Sequence, residues 1–129
     1  MIPLPFIAVV IAYVSATLLK MLLQKLRKEP VELFSLGGMP SVHSASVTAL
    51  ATAVFFEQGW SLLFLVATVF AIIVMRDAYG VRGEVTRHSA ALNKLTKSKQ
   101  YRRTGHTQHE VLAGGAFGII VVVLVYLAF

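Results

Sequence analysis

Two histidines in this chain stand where a side chain can meet an anion. His43 lies in Gly37-Gly38-Met39-Pro40-Ser41-Val42-His43-Ser44-Ala45. Pro40 and the paired glycines stop any helix arriving from the left, and Ser41 reads as the N-cap of a new helix over 42–56. A helix N-terminus presents backbone N–H groups and a partial positive charge, which together hold an anion well. A histidine in that first turn adds a group that titrates near neutral pH. His106 and Glu110 are spaced i,i+4, which on a helix puts them on one face. A carboxylate so placed can hold one ring nitrogen of His106 and aim the other, the role it plays in catalytic triads.

Several Lys and Arg residues accompany these histidines, with only scattered carboxylates. A metal centre wants a denser set of Asp, Glu and His ligands, so no metal and no cofactor are expected. Cations and helix N-termini suit a phosphate, whose equatorial oxygens carry the charge that must be stabilised. Two histidines then divide the work: one attacks phosphorus and the other protonates the leaving alkoxide.

The elements that position these groups are apolar. The 129 residues are 57% hydrophobic and only 14% charged, with a mean hydropathy of +0.73. So little polar surface cannot enclose a water-soluble core, and the reading is a single integral membrane domain over 1–129. It is an all-α bundle of four transmembrane helices at about 3–26, 42–56, 61–76 and 109–128, with a polar, partly helical connection over 77–108. Helix 42–56 is short and rich in Ser, Thr and Ala, which suits the inside of the bundle. Gly114 and Gly118 form a GxxxG pair, a sign of close helix packing. Trp60 reads as an interfacial anchor. The absence of cysteine excludes disulfides and thiolate metal sites.

The net charge of +6 is unevenly placed. Lys20, Lys25, Arg27 and Lys28 lie at the end of the first helix, and every other Lys or Arg lies in 76–107. The 57–60 turn carries only Glu57. The positive-inside rule makes both basic connections cytoplasmic and puts both termini outside. Lys20, His43, Asp77, Arg82, His106 and Glu110 then fall at the cytoplasmic helix ends, and such a polar cluster in a small apolar bundle is a functional-site hypothesis. Lys25, Lys28, Lys94, Lys97 and Lys99 are expected to meet anionic headgroups, each worth about 1 kcal/mol. His88 and His109 read as polar boundary residues.

Pro40-Ser41-Val42-His43-Ser44 resembles the Pro-Ser-Gly-His motif of the type 2 phosphatidic acid phosphatase superfamily, which includes the vanadium haloperoxidases. Residues 105–114 resemble its last motif, in which His is followed four residues later by an acid and then Ala-Gly. Lys20 and Arg27 have the offset of its first Lys…Arg motif. The chain is more similar still to a divergent branch of small bacterial and plastid membrane proteins. That branch shows Gly-Gly-Met-Pro-Ser-x-His-Ser-Ala, Asp-Ala-x-Gly-Val-Arg, Leu-Asn-x-Leu and Gly-His-Thr-x-x-Glu-Val. Here these stand at 37–45, 77–82, 92–95 and 105–111.

The resemblance implies metal-free hydrolysis of a phosphomonoester through a phosphohistidine. It makes His106 the nucleophile, Glu110 its orienting carboxylate and His43 the general acid. Ser41 and Lys20 would bind the phosphate, with Arg27, Gly38, Asp77 and Arg82 beside them. The superfamily's Ser-Arg before the nucleophile falls on Lys99 and Gln100. Of Arg82, Arg102 and Arg103, Arg82 is the expected replacement, because Asp77–Arg82 is itself a branch motif. Val42 replaces a glycine, and Arg27 is followed by Pro30 rather than directly by proline.

The expected function is therefore a lipid phosphate phosphatase at the cytoplasmic leaflet of a bacterial inner or plastid-type membrane. Its substrate would be phosphatidylglycerol phosphate, phosphatidate or a prenyl phosphate, with no nucleic acid as partner. One alternative is a non-catalytic membrane protein that binds anions or lipid headgroups. A small oligomeric channel or transporter is the other. Four helices this short leave little wall around a lipid site, which a homodimer would supply.

Overall fold

The computed structural model describes residues 3–29, 31, 37–97 and 105–129. They form five helices: α1 Leu4–Leu26, α2 Val42–Gln58, α3 Leu62–Tyr79, α4 Val81–Thr96 and α5 Gln108–Ala128. Three helical stretches are long and apolar enough to cross a membrane: α1, α5, and α3 running on into α4 as far as Thr96. At 17 residues α2 spans about 25 Å, a little less than a bilayer's hydrocarbon core. It sits at the centre and packs against α1, α3 and α5. The protein is an all-helical membrane bundle.

Its interior is built from small residues and its outside from large ones. Ala8, Ala12, Ala49, Ala53, Val122 and Val125 form the core, while Leu18, Val66, Phe70, Ile73, Ile120 and Leu124 are exposed. Lipid solvates large apolar side chains as well as a protein core does, so close backbone approach rather than apolar burial selects the inward residues. Along α1 the buried stripe is Ala8, Ala12 and Ala16, and it continues into Lys20 and Gln24. One helix face thus passes from apolar packing to the polar end of the bundle.

The tightest seam joins α2 to α5. A Cβ added to Gly114 would stand 2.3 Å from the Ser41 carbonyl oxygen, and one on Gly118 would stand 2.1 Å from that of Ala45. The Thr48 hydroxyl crosses the seam to donate to the Gly115 carbonyl at 2.9 Å. The GxxxG pair therefore acts as the spacing implied. Both helices start at the same level, because the Ser41 N–H donates to the Glu110 carbonyl at 3.2 Å. At the other end Tyr126 stacks on Phe56 and donates to Glu57 at 2.7 Å. The exposed Trp60 packs edge-on against Phe55 and Phe64.

Candidate functional site

The polar end is formed where α1 and α3 finish and α2 and α5 begin. Ser41 caps α2 as the sequence implied: its Oγ accepts the Ser44 N–H at 3.4 Å and the Ser44 hydroxyl at 2.9 Å. Both serines are buried. Gly38 has φ +98°, a conformation that favours glycine, and Lys20 Cε lies 3.5 Å from where its Cβ would stand. Lys20 is only 4% exposed. The lysine is thereby laid along the backbone of the loop that leads into His43.

His43 is on the first turn of α2, in the electrostatic field of Arg82, Lys20 and Asp77. Arg82 reaches back across the α3–α4 junction, and its Nε donates to Asp77 Oδ2 at 2.7 Å. This contact assigns Asp77 to Arg82 rather than to Arg76. The charges that act on His43 thus come from three helices, Lys20 from α1, Asp77 from α3 and Arg82 from α4.

His106 is held from the other side of the junction. Its N–H donates to the Ala78 carbonyl at 2.9 Å, and the Gly105 N–H donates to the Thr86 hydroxyl at 2.9 Å. Gly105 lies flat on α4: a Cβ there would stand 2.6 Å from both the Arg82 carbonyl oxygen and the Gly83 nitrogen. The buried imidazole lines an open pocket of about 360 Å³ with Tyr79, Gly83, Thr86, Arg87 and Gln108. A cleft of about 400 Å³ between α3 and α5 adjoins it, lined by Ile72, Met75, Arg76, Val111 and Leu112 and sharing Tyr79 and Gln108. Asp77 and Tyr79 are about 200° apart around α3, so they flank Ala78 on different sides. His106 lines the first of these two pockets, and His43, Lys20, Asp77 and Arg82 line neither.

Two expectations change. His106 precedes the N-cap Thr107 and so stands outside α5, where an i,i+4 helical face with Glu110 does not exist. Glu110 closes a capping box: one carboxylate oxygen accepts the Thr107 N–H at 2.8 Å, and the Thr107 hydroxyl accepts the Glu110 N–H at 3.3 Å. Thr-x-x-Glu before an apolar run is the sequence signal for that motif. Arg27 is the exposed C-cap of α1, about 10 Å along the axis from Lys20, and is not drawn into the group around His43. Lys99, Gln100, Arg102 and Arg103 lie outside the described residues. Among the described residues no three His, Asp or Glu side chains converge as ligands.

Spacing did not reveal the residues that seat His106, namely Ala78, Thr86 and Gly105. The glycine directly before the histidine was the available signal. Gly105→Ala should displace 105–107 from α4 and break its bond to Thr86, at a cost of about 1–3 kcal/mol. Backbone amide exchange at 105–107 should accelerate; unchanged exchange would show that the loop has room to spare.

A family model described as the divergent PAP2 family matches residues 2–121. The chain belongs to this family. A relative in Bacillus subtilis (strain 168), described as uncharacterized membrane protein YuiD, is 41% identical over 115 residues. The aligned part covers 71% of this chain and 73% of the relative. No solved structure matches the chain. Membership of the divergent PAP2 family points to phosphatase-related chemistry, and the relative agrees with a membrane location. In this divergent PAP2 protein His43 and His106 stand at the same end of the bundle, at the starts of α2 and α5.

Proposed function

We propose that the protein is a metal-independent phosphatase of lipid phosphomonoesters, working through a phosphohistidine. The observation that carries this reading is that Lys20, Arg82 and Asp77 act electrostatically on His43 at the bundle end that also holds His106. Lys20 and Arg82 neutralise the phosphate oxygens, assisted by the N-terminus of α2 and the Gly38 backbone. Asp77 keeps Arg82 aimed. The His106 imidazole attacks phosphorus, the P–O bond to the alcohol breaks, and His43 gives the alkoxide a proton. Water then attacks the phosphohistidine, with His43 as base, and orthophosphate leaves. Glu110 supports His106 by anchoring the α5 start. The basic end is taken as cytoplasmic on the positive-inside rule.

A binding-only reading draws on Lys99-Gln100 in place of Ser-Arg. A channel would draw on the glycines of α5, and Gly114 and Gly118 pack against Ser41 and Ala45 at the α2–α5 seam.

Phosphate release from phosphatidate, phosphatidylglycerol phosphate and a prenyl phosphate in detergent micelles decides between the readings. A phosphatase of this kind keeps its turnover in EDTA and loses it to vanadate. Vanadate bound to folded protein with no release from any lipid would establish the binding-only reading.

A further inference from the structure

We infer that α4 is an interfacial helix that seats one face on an anionic lipid surface while its opposite face holds the His106 loop. Val81, Val85, His88, Leu92 and Leu95 are spaced 4-3-4-3 and form a stripe within about 40° of one line on the helix. All five are exposed, Leu95 by 81%, and among the described elements α4 packs only on α3. Thr86 and Gly83 lie on the other side of the helix, where the Thr86 hydroxyl and the Gly83 backbone meet Gly105.

Three observations select lipid as the occupant of the stripe. The 18 residues of α3 rise about 27 Å, so a span that starts at one edge of the hydrocarbon core delivers Gly80 to the other. The stripe begins at the next residue, continuing the apolar outer surface of α3 formed by Val69, Phe70, Ile72 and Ile73. Arg87 and Lys94, seven residues apart, lie about 120–140° around the helix from the stripe, on its polar side, and Lys97 follows at the C-cap. Glu84 pairs with Arg87. An amphipathic helix with a basic polar face lies in the headgroup plane, its apolar side at the acyl boundary. Seated so, α4 fixes the depth of His106 at the level of lipid headgroups.

The same spacing could instead form a seam with a second copy, and the test separates the two. The chain has no cysteine, so Val85→Cys, Leu92→Cys and Lys94→Cys each give a unique attachment point for an environment-sensitive fluorophore. The labelled full-length proteins are placed in nanodiscs holding one copy or two, of phosphatidylcholine with or without phosphatidylglycerol. Emission at 85 and 92 should be blue-shifted and quenched by spin-labelled lipid, more so with phosphatidylglycerol, while 94 reports water. Water-like emission at 85 and 92 in both compositions overturns the inference. So does a blue shift that needs two copies per disc, which assigns the stripe to a dimer. The readout needs no turnover, so it stands or fails separately from the phosphatase reading.

Discussion

His106→Ala should lower phosphate release by about a thousandfold or more, because a nucleophile that forms the covalent intermediate has no substitute. The fold should survive. The loop is held through backbone groups, the His106 N–H on Ala78 and the Gly105 N–H on Thr86, and alanine keeps both. His43→Ala should behave differently, losing about 10²–10⁴-fold on alkyl phosphates, the usual worth of a general acid. With an aryl phosphate, whose leaving group needs no proton, most of that loss should vanish, whereas His106→Ala should stay inactive on both. Rapid acid-free quenching should trap phosphoprotein in the wild type and none in the His106 variant. Near-normal turnover in His106→Ala would remove it as nucleophile, and equal losses on both substrates in His43→Ala would remove its role as acid.

The largest effect on stability is expected at Gly118. A methyl group there would stand 2.1 Å from the Ala45 carbonyl oxygen and 2.5 Å from the Thr48 hydroxyl. Backbone cannot move aside as a side-chain tip can, so α5 must back away from α2 and the bond from Thr48 to Gly115 must stretch. Overpacking of this kind costs about 3 kcal/mol. Gly83→Ala is the contrast, since nothing lies within 4 Å of its added Cβ. Relief of glycine's backbone entropy should make it neutral or stabilising by about 0.5–1 kcal/mol. Thermal unfolding in detergent should separate the two clearly. Similar melting temperatures would mean that the seam can open without loss.

Local features were legible because they depend on few residues. Apolar length alone marks α1 and α5 as membrane-crossing helices. Ser41 was recognisable as a cap, because a side chain accepting from a neighbouring N–H needs nothing beyond the next turn. Gly114 and Gly118 announced a close approach without saying to which helix; Ser41 and Ala45 on α2 are the answer.

What only the tertiary structure decided is which long side chains converge. Lys20 and Arg27 have the seven-residue spacing of one helix face, yet Lys20 is enclosed against the Gly38 loop while Arg27 is exposed as the C-cap. Spacing cannot distinguish them, because burial depends on what another segment brings alongside. The start of α5 follows the same logic. Sequence alone establishes that His106 and Glu110 are four apart, but the helix begins between them at the Thr107 cap, whose N–H one oxygen of that carboxylate accepts. His106 is then positioned by Ala78, Thr86 and the backbone at Arg82–Gly83, partners about 20 residues and more away in the chain that only packing brings together.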